Sequence, residues 1–265
     1  MMPLTVTFDT NALNDVLWPD ESQRPIDPAD AARVRAAIQA GDIQGFFSEI
    51  LVTIEGIQKK DRPAVVGSTR LQSESTSTDK NTITISISIV QDRKPFDSEF
   101  SEMLQRAKSV RLRALRAPAR NGWVRIRDED GTFFAPDGPV IELLGRMDKV
   151  NAMAIEIAVR GLGYAKAVEL GRKFADCDNP SNPEFSFKGL LGATRRQVKL
   201  ALNEWADGDS VAAHYGYGID LFCSRDFGKN TSGPSVLDCD NRKWLNEEFG
   251  IQFVTLAELA KRVTA

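Results

Sequence analysis

Asp9, Asp209 and Asp226 are acids whose sequence surroundings would carry them to one edge of a sheet. Carboxylates brought together repel one another unless a hard cation neutralises them, so such a group is a natural Mg2+ or Mn2+ site. A metal held there turns water into hydroxide and stabilises charge developing on a scissile phosphate. A lone Asp is far more often a helix cap or a solvated charge. The chemical reading therefore rests on the elements that would position the set.

Residues Asp207 to Asp226 read as a helix followed by a strand. Asp207 and Gly208 open the segment as a cap, Ser210 to Tyr215 suit a short helix, and Gly216 and Gly218 supply a left-handed stop. Ile219 to Cys223 is a short apolar run that suits a buried parallel strand. Asp209 is thus expected at a helix start, and Asp226 just past a strand's carboxyl end. At the other end of the chain, the β-branched and aromatic run Leu4 to Phe8 stops at Asp9-Thr10-Asn11, which makes Asp9 another strand-end acid. Open α/β sheets bind ligands beyond the carboxyl ends of their strands, so these acids can share one crevice despite their separation in sequence.

A strand ending in Asp9-Thr10-Asn11, then Asp209 followed by Ala212-Ala213, then a strand into Ser224-Arg225-Asp226, resembles the PIN-domain family over roughly residues 1–60 and 190–260. The resemblance implies an α/β fold, PIN-like α/β/α with a central parallel sheet. The PIN-like domain would take residues 1–60 and 139–265, with 61–138 an inserted region of mixed strand and helix. The implied activity is metal-dependent endoribonuclease hydrolysis of RNA, with Asp9, Glu55, Asp209 and Asp226 holding Mg2+ or Mn2+. Glu55 is placed by the family pattern, two turns into the helix after the second strand. Glu49 competes with it, and six residues of helix turn by about 240°, so both cannot face one pocket. Asp207 is an accessory ligand on this reading. Thr10, Asn11 and Ser224 are orienting partners, since ligating carboxylates need them, and Asn11 and Ser224 also count among the substrate-binding residues. RNA is the implied partner, and an antitoxin, another protein or a second copy in a homodimer are the protein contacts to consider.

Between the matching pieces the pattern changes. Asp27-Pro28 looks like a cap and first turn, opening a helix with Ala31, Val34, Ala37 and Ile38 on one side and Gly41 at its end. Ile43 to Phe47 suits a second strand, and Glu49 to Gln58 a helix. Arg70 to Asn81 is Ser- and Thr-rich and reads as a loop, whereas Ile83, Ile85, Ile87 and Ile89 alternate with polar residues as in a half-buried strand. Phe100, Met103, Leu104, Ala107 and Val110 recur at helical spacing. Trp123 to Arg127 and Thr132 to Ala135 read as a hairpin. Helices are expected over Val140–Gly145, Lys149–Phe174 and Thr194–Trp205, the second punctuated by glycines where two backbones approach. Trp244–Phe249 is helix-like, with a short strand over Ile251–Val254 and a helix over Leu256–Val263 to follow.

Eight cations and no acid lie between Arg106 and Arg127. Such a patch is a plausible contact for a phosphate backbone, with Arg106, Arg113 and Arg116 on one helical face, and equally a solvated face paired to acids elsewhere. Trp123 could stack on a base, although a buried hairpin aromatic explains it as well. His214 is the one histidine, and a packed or surface role suits it better than a catalytic one.

Bulk properties limit the alternatives. At 265 residues the chain can bury a sizeable core without staples. Cys177, Cys223 and Cys239 include no Cys-x-x-Cys pair, against a disulfide framework or zinc ribbon. No apolar run of about 18 residues and no basic-then-apolar leader is evident, so the expectation is a cytoplasmic protein without a membrane partner. Two readings compete with a nuclease. One is a degenerate PIN-like module that binds RNA or protein without cutting. The other is a haloacid-type phosphotransfer enzyme, which would need an acid two residues after Asp9, where Asn11 stands.

Overall fold

The computed structural model describes residues 3–21, 27–79, 82–92, 96–118, 128, 131–174, 193–226 and 234–263. Five parallel strands make the central sheet, with helices packed around it. They are β1 (Leu4–Phe8), β2 (Ile43–Ser48), β5 (Arg113–Leu115), β6 (Leu221–Cys223) and β7 (Gln252–Val254), in the order β5-β2-β1-β6-β7. The chain builds outward from β1 in one direction through β2 and β5, then in the other through β6 and β7. The switch in strand order therefore falls between β1 and β6, where Val6 lies opposite Leu221 and Phe8 opposite Cys223. In sheets of this kind that junction is where a crevice opens beyond the strand ends.

Local signals account for the flanking elements. In α2 (Pro28–Ala40) Asp27 accepts from the Ala29 N–H at 2.9 Å, Pro28 needs no donor in the first turn, and Gly41 closes the helix with φ 87°. Its buried face is Ala31, Val34, Ala37 and Ile38, as its periodicity predicts. Asp9 caps α1 (Thr10–Leu17), Asp97 caps α4 (Ser98–Ser109), and Asp238 caps α8 (Cys239–Phe249). A reciprocal Thr255–Glu258 capping box starts α9 (Leu256–Arg262).

Several elements differ from what local reading predicts. The Ser- and Thr-rich stretch is a strand: β3 (Arg70–Asp79) pairs antiparallel with β4 (Thr82–Val90) in a separate two-stranded sheet. Cross-strand pairing with the isoleucine strand overrides the low strand propensity of the serines. Residues 61–138 are not one detachable unit, because β5 is an edge strand of the main sheet, and Met103, Ala107, Val110 and Phe134 enter the main core. Phe134 bridges to Ala114 on that edge; Trp123–Arg127, the other arm of the expected hairpin, lie outside the described residues, as does the loop expected over 176–187. Among the described residues no helix is long and apolar enough to cross a membrane.

The largest departure concerns the glycines. Val140–Gly145 and Lys149–Phe174 become α5 (Val140–Val159) and α6 (Tyr164–Phe174), broken where Gly161 and Gly163 take positive φ. Thr194–Trp205 and Ser210–Tyr215 fuse into one 25-residue helix, α7 (Ala193–Tyr217), that runs straight through Gly208 and Gly216. These glycines are contact points, not stops. A Cβ on Gly208 would stand 3.0 Å from the Gly163 Cα, and one on Gly216 would stand 2.2 Å from Val150 Cγ2 and 2.8 Å from the Val150 backbone nitrogen. Gly218, with φ 63°, is the residue that ends the helix.

A paired substitution checks this reading. Gly145, mid-helix in α5, has nothing within 4 Å of an added Cβ, so Gly145→Ala should raise stability by up to ~1 kcal/mol. Gly216→Ala should instead lower it by about 1–3 kcal/mol through overpacking against Val150, despite the same gain in helix propensity. Denaturant melts of the two variants should move in opposite directions.

Candidate active site

The crevice at the switch point is a cavity of about 900 Å3 whose walls include Asp9, Glu55, Asp207 and Asp226. Asp9 stands at the end of β1 and is 9% exposed. Its Oδ2 accepts from Asn11 Nδ2 at 2.7 Å and from Ser224 Oγ at 2.7 Å, and its Oδ1 from the Thr10 N–H at 2.8 Å. Thr10 and Asn11, in the first turn of α1, and Ser224, just past β6, thus orient the carboxylate. The Ser224 hydroxyl also accepts from the Asp226 N–H at 3.0 Å, and the Asn11 side-chain carbonyl from the Arg225 N–H at 3.0 Å. These bonds knit the end of β6 to the end of β1.

Glu55 closes a single π-helical turn, Leu51–Glu55, in which the Gly56 N–H donates to the Leu51 carbonyl at 2.6 Å. Its carboxylate accepts from the Thr10 hydroxyl. Of the two competing glutamates Glu55 lines the cavity, whereas Glu49 accepts from the Ala117 N–H at 3.2 Å near the far edge of the sheet. The wider turn of a π-helix, a form that recurs at functional sites, is the local feature that residue periodicity does not reveal.

Asp209 is a correction. It was expected at a helix start facing the crevice, and the structure places it inside α7, 1% exposed, where its Oδ2 accepts from Trp205 Nε1 at 2.8 Å. Asp207, read from sequence as accessory, lines the cavity together with Asn203 one turn earlier. Two residues of α-helix rotate by about 200°, so when Asp207 faces the cavity Asp209 must face away. The error follows directly from taking Gly208 as a cap.

The acids feel one another. Burial raises the Asp9 carboxyl above its usual pKa, opposed by its three hydrogen bonds and reinforced by Asp226. Burial and then the Asp9 charge raise Glu55. Burial first, and then Asp9, Glu204, Glu55 and Asp226, raise Asp207 well above the usual carboxylate value. A buried cation stands among them that sequence reasoning missed. Arg62, the first residue of α3 (Arg62–Gly67) and 3% exposed, donates to the carbonyls of Glu55 at 2.8 Å and Ile57 at 3.0 Å and to Asn203 Oδ1 at 2.6 Å. Desolvation lowers its pKa, while the Glu55 and Asp207 charges hold it up.

Among the described residues no three acidic, histidine or cysteine side chains are gathered tightly enough to form a ready-made three-ligand metal site. The donor set itself is all carboxylate oxygen, the chemistry that suits Mg2+ or Mn2+, and the mutual destabilisation of the charged acids is what such an ion would relieve.

The arginines part company. Arg106, at the end of α4, lines the cavity beside Lys59 and Arg225. Arg113 begins β5 and reaches the Gly131 carbonyl at 3.3 Å, while Arg116 is tied to Asp137 at 2.8 Å with its guanidinium 4.1 Å from the Phe134 ring. They do not share a helical face, because α4 ends at Ser109 and Arg111 takes a φ of 62°. Arg120, Arg125 and Arg127 lie outside the described residues.

No family model matches this chain, and no curated protein matches it either.

His214 is packed in the core, 1% exposed, with Nδ1 3.0 Å from Thr7 Oγ1 and its ring edge-on to Phe222. Burial pushes its pKa down to about 3 from an ordinary 6.5, with Asp220 opposing. The unfolded chain therefore takes up this proton first, and the contribution of His214 to stability, present above pH 6.5, should fade as pH drops toward 3. The raised acids act in the opposite sense, stabilising the fold at low pH and losing that contribution as pH rises through their folded values. Comparison isolates the histidine: His214→Gln should lose up to ~1.4 kcal/mol per pH unit of the parent's stability slope between about pH 6.5 and 4. Identical slopes in urea titrations of the two proteins would refute a buried neutral imidazole.

Proposed function

We propose that this chain is a PIN-like, metal-dependent endoribonuclease. The observation that carries the reading is the convergence of Asp9, Glu55, Asp207 and Asp226 on one open crevice at the strand-order switch of a parallel sheet, beside Lys59, Arg106 and Arg225. Asp207 replaces Asp209 in the acid set. A bound Mg2+ or Mn2+ would supply a hydroxide nucleophile at neutral pH and stabilise charge on the phosphate oxygens. Asp9, fixed by three donors, and Asp226, at the end of β6, would hold that ion from two adjacent strands. Glu55 and Asp207 would face it from the other wall, positioned by Thr10 and Arg62. Lys59 and Arg225 would attract the substrate's phosphates, a sequence-independent and salt-dependent contribution.

Purified protein should cut single-stranded RNA with Mn2+ or Mg2+, stop with a chelator, and lose activity in Asp9→Asn and Asp207→Asn while remaining folded. Asp209→Ala should do the reverse. It leaves a buried Trp205 N–H without that acceptor, so stability should drop by about 1–3 kcal/mol while activity per folded molecule survives. Loss of activity in Asp209→Ala, or full activity in Asp207→Asn, would overturn the revised acid set.

Metal linkage gives an independent check. Mn2+ at about 100 times its dissociation constant should stabilise the parent by roughly 2.7 kcal/mol, because only the folded chain gathers the ligands. Asp207→Asn should gain much less, and its metal-free form should be no less stable than the parent, since one repelling charge is gone. Metal stabilisation without cleavage of any RNA would point to a binding module that does not cut.

A further inference from the structure

Along α1 away from Asp9 the cavity is also walled by Trp18, Phe100, Met103 and Arg106, contributed by the C-terminal end of α1 and by α4, which brings Asp97, Glu99 and Glu102 to the same wall. The Arg106 guanidinium lies over the Trp18 ring, 5.0 Å from its centroid. Glu102 one turn back fixes its orientation, accepting from Nε at 2.9 Å and Nη2 at 2.7 Å through the same oxygen. The Arg106 side chain remains 38% exposed. A flat cation is thus held in a set orientation on an aromatic ring, inside the crevice that holds the carboxylates.

We infer that Trp18 and Arg106 form a nucleobase-stacking subsite of this crevice, with Phe100 and Met103 as its apolar floor. The inference rests on the nuclease reading for the Asp9 carboxylates and adds what the Trp18 wall takes. A nucleotide joins a phosphate to a flat, polarisable base. A crevice that holds Asp9 and its neighbouring carboxylates and, further along α1, an aromatic ring topped by a guanidinium matches those two parts. Bases stack on aromatic rings and on arginine planes with little regard to sequence. An inorganic phosphate or a small phosphate ester would leave the Trp18 end unused. α1 runs from its Asp9 cap to Trp18, about 13 Å by helical rise, so the stacked base belongs to a neighbour of the phosphate at the acids. Such a base must be unstacked from its own strand, which makes single-stranded RNA the substrate and excludes continuous duplex.

Abasic scanning tests this with the whole chain. A labelled single-stranded RNA 12-mer and a series carrying one abasic nucleotide at each position are titrated by fluorescence anisotropy with Ca2+ in place of Mg2+ or Mn2+, which neutralises the carboxylates while its weaker activation of water keeps cleavage from intervening. The parent should bind one abasic member about tenfold more weakly than the intact strand, the loss of a single base stack. Arg106→Met keeps the stem over Trp18 but removes the planar cation, and Trp18→Leu removes the ring. Both should bind the intact strand as weakly as the parent binds that abasic member, with the positional penalty gone. No penalty at any position, an unchanged penalty in Arg106→Met, no measurable binding, or duplex bound as tightly as single strand would each overturn the subsite. Cleavage assays on the same proteins separate the two readings. A positional penalty without cleavage overturns the hydrolytic reading alone, and cleavage without a penalty overturns the subsite alone.

Discussion

Several carboxylates must be held around one crevice although they repel one another, and much of the architecture near the switch point answers to that constraint. At an effective dielectric of about 20, two like charges ~6 Å apart cost about 3 kcal/mol. That is a large share of the 5–15 kcal/mol that typically separates folded from unfolded domains. The protein meets the constraint by spreading the acids over independent elements and by giving Asp9 and Glu55 donors of their own. Asp9 takes three hydrogen bonds, Glu55 takes the Thr10 hydroxyl, and Arg62 brings one buried positive charge close to Glu55 and Asp207. Four cations, Lys59, Arg62, Arg106 and Arg225, against eight acids leave the crevice net negative, a demand that the fold meets only in part.

The rotation of α7 decides which acids take part. The helix has three occupied faces near its middle. Asn203 and Asp207 look into the crevice, and Trp205 and Asp209 are joined within the core. Glu204 and Gly208 meet the α5–α6 corner, where Glu204 accepts from the Val236 N–H at 2.7 Å and Gly208 lies against Gly163. A side chain at Gly208 or Gly216 would push α7 off α5. The close helix crossing is therefore a condition for the site's geometry, although neither glycine touches the crevice.

How much of this was legible in the sequence follows from the range of the interactions. β1, α2, β2 and α4 were readable because their signals are local: β-branched runs, an Asp-Pro cap and a helical apolar stripe. Asp9 and Asp226 were readable for the same reason, each sitting where an apolar run stops. Gly208 was not, since a glycine that ends a helix and one that lets two helices touch look alike until the partner at Gly163 is known. Asp207 and Asp209 exchanged roles through that single ambiguity. The serine-rich β3 was hidden because its strand character depends on β4, and β5 because three residues carry too little periodicity to register. Arg62 gave no signal at all, as its acceptors are two backbone carbonyls and Asn203, 141 residues away.

That arginine also ties the two walls of the crevice together. The π-helical turn leaves the carbonyls of Glu55 and Ile57 pointing at Arg62, which takes both with separate nitrogens and uses a third to reach Asn203 on α7. A lysine could not satisfy three acceptors spread around a planar fork, and an ammonium buried to this degree would give up its proton more readily than a guanidinium. The turn that presents Glu55 and the helix that presents Asp207 are thus clamped by one residue whose charge also offsets theirs. Because Asn203 and Asp207 lie one helical turn apart on the same face, the clamp sets the height of Asp207 against Glu55. Positioning and partial charge compensation here are one interaction, so the acid wall would lose its alignment and its internal counter-charge together if that guanidinium were removed.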